Sequence, residues 1–273
     1  DSRNFTITDD NYREARVDWD TTSAVISGKL LKLASKSTIV MQGFIAKSHL
    51  GTTTTLGREG SDYTAAILAH SLNSKSVTIW KDVEGVMNAD PKKFPDAQII
   101  KTISFNEAIE LAYYGATVIH PKTIQPLKDK KIPLLVKSFI NPEGEGSIVL
   151  EGDKSITVPC TIVKEKQIML KIKSKDLSFI AEQSLQHIFS LFARHKQRIN
   201  VMQNSAISFT CCTDYIEHRV LELVEDLKRE YDVEITENLK ICTTYNIQKE
   251  NNGGESVLLR QKTGNVLHDV MLN

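Results

Sequence analysis

Between Thr38 and Ser138 short apolar runs of strand type alternate with segments whose apolar residues recur at helical spacing, and this alternation constrains the fold more than any other feature. Thr38 to Ala46 reads as a buried strand. A polar, Thr-rich stretch from Gly51 to Thr55 and the run Gly57-Arg58-Glu59-Gly60-Ser61-Asp62 follow, after which Ala65, Ala66, Leu68, Ala69 and Leu72 mark one face of a helix, with Ser61 placed as its N-cap. Val77 to Trp80 is the next strand, ending in Lys81-Asp82, and Asp90-Pro91 opens a turn. Ser104 and Glu107 have the spacing of a capping box, so a helix starts there and is expected to end at Gly115. Pro121 and Pro126 divide Val118 to Leu127 into a strand edge and a short helix, and Leu134 to Ser138 is a further strand. Upstream, Thr22 to Ala34 reads as a helix weakened by Gly28. This order predicts an α/β domain with a mainly parallel sheet.

After Pro159 the pattern changes. Ile168 to Ile172, the helical face Leu185, Ile188, Phe189 and Phe192, then Ile199 to Gln203, Ala206 to Cys211, the helical face Val220, Leu221, Val224 and Leu227, and Val233 to Thr236 give β-α-β-β-α-β, a ferredoxin-like order. Three more strand-like runs follow, Ile241 to Ile247, Ser256 to Leu259 and Asn265 to Leu272, separated by the turns Asn251 to Gly254 and Lys262 to Asn265. A chain of 273 residues suits two domains. We expect them at 1–150 and 160–273, the second divided into modules at about 166–238 and 239–273.

The 34 basic and 34 acidic residues cancel, which removes the basic footprint of a nucleic-acid binder. No apolar run approaches the roughly 20 residues that span a bilayer, and a soluble, cytoplasmic protein is expected. Cys160, Cys211, Cys212 and Cys242 have no metal-binding spacing and read as reduced structural thiols. The chain opens without Met in a polar stretch, Asp1 to Phe5, which reads as a cut end.

A glycine-rich turn leading into a helix presents backbone N–H groups to an anion. In 57–62, Arg58 offers a planar fork for a carboxylate and Ser61 a neutral donor, although a plain N-cap with a surface arginine has the same spacing. Lys81 and Asp82, with Gly85 and Lys92 beyond, stand where open α/β sheets bind nucleotides, or form a solvated loop of mixed charge. His120 is a packed core histidine or a base, and His187 and His195 are expected on the exposed side of their helix.

Five stretches occurring in order carry a specific likeness: Met41 to Ile45, Thr53-Thr-Thr-Leu-Gly-Arg-Glu-Gly-Ser-Asp-Tyr-Thr-Ala-Ala66, Trp80-Lys-Asp-Val-Glu-Gly-Val86, Asp90-Pro91 and Gly115-Ala-Thr-Val-Ile-His-Pro121. Together they resemble aspartate kinase, across essentially the whole chain. The resemblance implies the C-terminal, nucleotide-binding half of an amino-acid-kinase domain followed by a ferredoxin-like ACT region. Its activity would be transfer of the γ-phosphoryl of Mg-ATP to the β-carboxylate of L-aspartate. Carried over residue by residue, Phe44, Arg58, Gly60 and Ser61 would surround aspartate, Arg58 taking its α-carboxylate, and Asp62 would organise the reacting groups. Lys81, Asp82, Met87, Lys92, Thr117 and Val118 would lie along the ATP. No protein-bound metal is implied.

Three residues depart from the family pattern: Glu59 stands at a usual glycine, Met87 at a frequent aromatic and Thr117 at a frequent lysine. The family's opening Lys-Phe-Gly-Gly-Thr-Ser segment is not in the sequence, so the chain alone is expected to be inactive. The β-α-β-β-α-β unit and tail resemble paired ACT modules, which implies a homodimer and a lysine or threonine effector. Ala181-Glu182-Gln183 stands where lysine-sensitive relatives have Ser-x-Gly. The alternative is a non-catalytic effector-binding subunit or degenerate homologue.

Overall fold

The computed structural model describes residues 1–116, 118–153, 156–176, 178–247 and 257–273. The fold is mixed α/β and has two compact units, Asp1–Thr157 and Val158–Asn273. None of the described helices is long and apolar enough to cross a membrane.

In the first unit β1 (Ile7–Thr8), β2 (Ile45–Ser48) and β3 (Thr53–Thr55) make a small sheet, with β1 parallel and β3 antiparallel to β2. Asp18 caps α1 (Trp19–Val25) by accepting from the Thr21 N–H at 3.0 Å. The helix then passes through a π turn, Ile26–Leu30, into α2 (Leu31–Ala34). Gly28 thus sits in an irregular turn of an otherwise continuous helix. Ile26 and Leu30 pack with Ala46, Leu56 and Ile67, the last on α3 (Gly60–Leu72).

The expected strand from Thr38 to Ala46 is displaced. The strand begins only at Ile45, and Val40 is 94% exposed. Phe44 has φ 75°, a left-handed conformation outside the extended range, and the strand starts at the residue after it.

The second sheet of this unit has the order β4-β6-β7-β5, from β4 (Val77–Lys81), β5 (Thr102–Ser104), β6 (Leu134–Ser138) and β7 (Ser147–Leu150). β4 pairs parallel with β6 and β5 with β7, but β6 and β7 are antiparallel. The sheet expected to be mainly parallel is therefore mixed. The short 139–146 connection forms a return turn, closed by Gly146 at φ 71°, where a Cβ would lie 2.3 Å from the Val136 carbonyl oxygen. A parallel crossover needs a dozen or so residues.

The capping box is present: Ser104 N–H donates to Glu107 Oε2 at 3.0 Å and Glu107 N–H to Ser104 Oγ at 3.3 Å, opening α4 (Phe105–Tyr114), with Gly115 as C-cap. The other oxygen of the buried Glu107 accepts from the Ile156 N–H at 3.0 Å. α5 (Pro121–Asp129) starts with proline, whose missing N–H costs nothing there, and tolerates Pro126 inside it. The strand edge expected before it, at 118–120, is a bend and the N-cap instead.

The second unit is one six-stranded antiparallel sheet, ordered β12-β13-β11-β8-β10-β9. Its strands are β8 (Cys160–Ser174), β9 (Ile199–Asn204), β10 (Ser208–Asp214), β11 (Tyr231–Tyr245), β12 (Val257–Thr263) and β13 (Val266–Leu272). α6 (Glu182–Arg194) and α7 (Glu217–Glu230) cover one face, where Ile188, Leu191, Leu223 and Leu227 pack on Leu170 and Ile172. The opposite face buries Val201, Cys212, Leu239, Ile241, Leu259 and Val270.

β8 and β11 each run for 15 residues, through Lys166 at φ 54° and Asn238 at φ 58°. Register shifts between Thr236 and Ile241 accompany the bend. The run Ile241 to Ile247, read from sequence as a separate strand, is the continuation of β11 as far as Tyr245. The turn Asn251 to Gly254 and Ser256 lie outside the described residues.

None of the four thiols is in a disulfide. Burial pushes the Cys212 thiol up to about 12 and that of Cys211 beyond the ordinary range, as inert core cysteines require. His195 contradicts the expectation of an exposed histidine: it closes α6 with its side chain only 11% exposed, because α7 packs over it and Asp226 accepts from its ring.

Candidate active site

The turn before α3 has Gly57 at φ 78° and Glu59 at φ 52°. Helix α3 starts at Gly60 with Glu59 in the N-cap position, making no side-chain cap bond. Ser61, expected as N-cap, is one residue inside the helix, because the two left-handed residues already reverse the chain before it.

Two close approaches hold the cradle together. A Cβ on Gly60 would lie 2.6 Å from Phe44 Cδ2, and one on Gly43 would lie 2.9 Å from Ser61 Cα. Only residues without a Cβ let these backbones meet. The unusual φ of Phe44 is fixed from both sides: its N–H donates to Thr64 Oγ1 at 3.0 Å and its carbonyl accepts from the Leu56 N–H at 2.9 Å. Thr64 Oγ1 in turn donates to the Gly60 carbonyl at 2.8 Å. A strained, non-glycine left-handed residue over-determined in this way is common at ligand sites. Phe44, Arg58 and Ser61 are exposed around the buried Gly60.

Asp62, in the first turn of α3, pairs with Lys81 Nζ at 2.6 Å, the two side chains being 17% and 22% exposed. The short connection from α3 to β4 makes helix and strand antiparallel, so the helix start and the C-terminal end of β4 fall side by side. Lys81 is anchored there by parallel pairing with Ser138 and by its carbonyl, which accepts from the Phe139 N–H at 2.9 Å. This is the end at which open α/β sheets present ligand sites.

The other expected nucleotide contacts are more dispersed. Asp82 is exposed just beyond β4, and Lys92 is exposed with its N–H on Asp90 Oδ1 at 3.0 Å. Met87 forms an antiparallel bridge with Ile99 across the base of this loop. Val118 lines a small apolar pocket with Val86, Ala108 and Leu111. Thr117 lies outside the described residues.

His120 is the N-cap of α5, its Nδ1 accepting from the Lys122 N–H at 3.1 Å. Burial holds its pKa below the usual value, with Lys122 and Arg58 acting in the same direction and Glu59 against them. It is thus a hydrogen-bonded structural histidine within the field of Arg58 and Glu59. Sequence reasoning gave Glu59 no role beyond its departure from glycine. The structure leaves its Oε2 buried without a hydrogen-bond partner among the described residues.

A strained turn at a helix start, set against the carboxyl end of a strand with a half-buried lysine, is an arrangement in which α/β domains present ligand sites. Residues 4–138 match the model of the Amino acid kinase family, and this part of the chain belongs to that family. Within it the relatives are aspartokinases. The chain is 34% identical over 219 residues to lysine-sensitive aspartokinase 3 of Escherichia coli, a match covering 78% of this chain and 48% of the relative. It is 33% identical over 240 residues to the chloroplastic aspartokinase 3 of Arabidopsis thaliana, covering 82% and 42% respectively. Among solved structures, E. coli aspartokinase III in complex with aspartate and ADP superposes with a TM-score of 0.81 at 27% identity, over 99% of this chain and 65% of that one. Its complex with lysine and aspartate gives 0.78 at the same identity, over 99% and 64%. The chain spans less than half the length of these curated relatives.

Proposed function

We propose that this chain supplies the C-terminal, nucleotide-binding half of an aspartate kinase domain together with its regulatory region. The observation that carries the reading is the Arg58-to-Asp62 turn, with Asp62 tied to Lys81 at the carboxyl end of β4. In this reading Phe44, Gly60 and Ser61 enclose L-aspartate while Arg58 forks onto its α-carboxylate. That leaves the β-carboxylate facing the nucleotide, along which Lys81, Asp82, Met87, Lys92, Thr117 and Val118 lie. One β-carboxylate oxygen forms a bond to the γ-phosphorus of ATP as the bond to ADP breaks, giving an acyl phosphate. Positioning and charge neutralisation supply the rate, with no covalent enzyme intermediate. Magnesium binds substrate phosphates with one or two carboxylates, and Asp62 and Asp82 are the carboxylates at this end of β4.

The second unit is read as the ACT region. Its β8-α6-β9-β10-α7-β11 segment has the strand order of a ferredoxin-like module, and the E. coli relative was solved in complex with lysine. A lysine or threonine effector and a homodimer formed through this unit complete the proposal.

Trapping with hydroxylamine tests the activity in the full-length protein, where ATP- and aspartate-dependent hydroxamate is expected. Arg58→Ala should raise the KM for aspartate by the equivalent of about 1.5–3 kcal/mol with kcat little changed, since the contact is made in ground and transition states alike. No hydroxamate, or an unchanged aspartate KM in the variant, contradicts the reading.

A further inference from the structure

We infer that Lys81 is a shared ammonium, held by the Asp62 carboxylate until the terminal phosphates of the nucleotide arrive and then passed to them, so that Asp62 competes with the polyphosphate for one cation. This rests on the reading of the site as an ATP site. The pair is close, at 2.6 Å, and both side chains are about four-fifths buried. Each charge there needs a partner, because a half-dry environment penalises an ion left alone.

The two partners are not equally dependent on one another. Asp62 sits in the first turn of α3, a helix of 13 residues whose positive end faces its carboxylate. It keeps that compensation if the ammonium moves away. Lys81 has only its flexible stem to reposition, while its backbone stays fixed by β4–β6 pairing. An ammonium with three rotatable donors can make such a move without rebuilding the fold. A triphosphate beyond the end of β4 carries more charge than one carboxylate, so it wins the ammonium. Asp62 is then a carboxylate released inside the site as the phosphates are neutralised, available to organise the reacting groups. In this account Asp62 opposes nucleotide binding and favours the step after it.

The two residues should therefore have opposite effects on nucleotide affinity. Calorimetric titration of the full-length protein with magnesium-free ATP, and with adenosine as the phosphate-free control, separates them. Asp62→Asn should bind ATP about three- to tenfold more tightly than the parent protein, whereas Lys81→Met should bind about 10- to 100-fold more weakly. The double variant should match Lys81→Met, and adenosine affinity should be the same in all. Should Lys81→Met fold poorly, Asp62→Asn decides alone, because it keeps the ammonium. Equal or weaker ATP binding by Asp62→Asn overturns the shared ammonium while leaving the ATP site intact. A parent protein that binds neither ATP nor adenosine overturns the underlying reading as well.

Discussion

His195 Nε2 stands 2.8 Å from Asp226 Oδ2, so the residue that closes α6 is tied to the body of α7. Arg229 and Arg194 reach the same carboxylate at 3.2 and 3.7 Å. The His195 hydrogen bond, with Arg229 and Arg194 adding to it, holds the Asp226 carboxyl below its usual pKa against a smaller opposing effect of burial. A depressed carboxylate pKa adds stability above the unfolded value, about 3.9, and loses it as pH falls through the folded value. Asp226→Asn should therefore unfold at lower urea than the parent protein at pH 7, and the two should converge below pH 4. A constant difference across that range would show that the pair contributes shape rather than charge.

Glu59 combines two costs, a left-handed backbone at φ 52° and a buried carboxylate oxygen without a hydrogen-bond partner among the described residues. A left-handed non-glycine residue costs about 1–2 kcal/mol, while glycine gives back about 0.4–1 kcal/mol through the freer unfolded chain. Relief of the unpaired oxygen adds to the gain. Glu59→Gly should stabilise the first unit by about 1 kcal/mol, read as a higher urea midpoint at unchanged slope. A lower midpoint would mean that Glu59 makes an interaction that offsets both costs.

The local signals were legible where they are local in fact. Ser104 and Glu107 are three residues apart, and the bonds that cap α4 run between these two residues. Helical period also places most of the apolar faces of α6 and α7, since Leu185, Ile188, Phe192, Val220, Val224 and Leu227 join the core, but Phe189 and Leu221, expected on the same faces, are exposed while Leu191 and Leu223 are buried. What could not be read depends on distant partners. Phe44 leaves the expected strand because Thr64 and Leu56 hold it in a left-handed turn, and β11 was read as two runs because Asn238 bends a strand that pairing with β8 keeps continuous. In the site, the Arg58-to-Asp62 run is visible in sequence, but its junction with Lys81 forms only through the packing of α3 against β4.

His268 on β13 is buried and shares a 2.9 Å hydrogen bond between its Nδ1 and Thr243 Oγ1 on β11. Burial lowers its pKa, and the neighbouring Asp269 only partly offsets this. The unfolded chain therefore binds a proton near pH 6.5 that the folded chain refuses, and stability declines as pH falls below that value. Between pH 7.5 and 5.5 the second unit should lose stability, and His268→Gln should flatten that slope. Amide exchange along β13 gives the local readout, with a pH-independent rate ratio in the parent protein counting against the argument.

The final prediction concerns Gly60, whose place in the site is set by a ring rather than by its own torsion. An added methyl would lie 2.6 Å from Phe44 Cδ2, 3.2 Å from Leu56 Cβ and 3.3 Å from Phe44 Cα. The Phe44 backbone is pinned by its bonds with Thr64 and Leu56, so its Cα cannot yield cheaply, and the ring can give way only by leaving its rotamer over the helix start. Gly60→Ala should therefore cost about 1–3 kcal/mol even though alanine is the better helix former at an ordinary position. The conflict should be relieved by Phe44→Ala, because that removes the ring while keeping the backbone bonds. A double-mutant cycle measured by urea denaturation should show coupling of at least about 1 kcal/mol between the two positions, as expected for residues in direct contact. Additive effects would mean that α3 shifts to accept the methyl, and the close packing of Phe44 on the helix start would then be incidental to the shape of this turn.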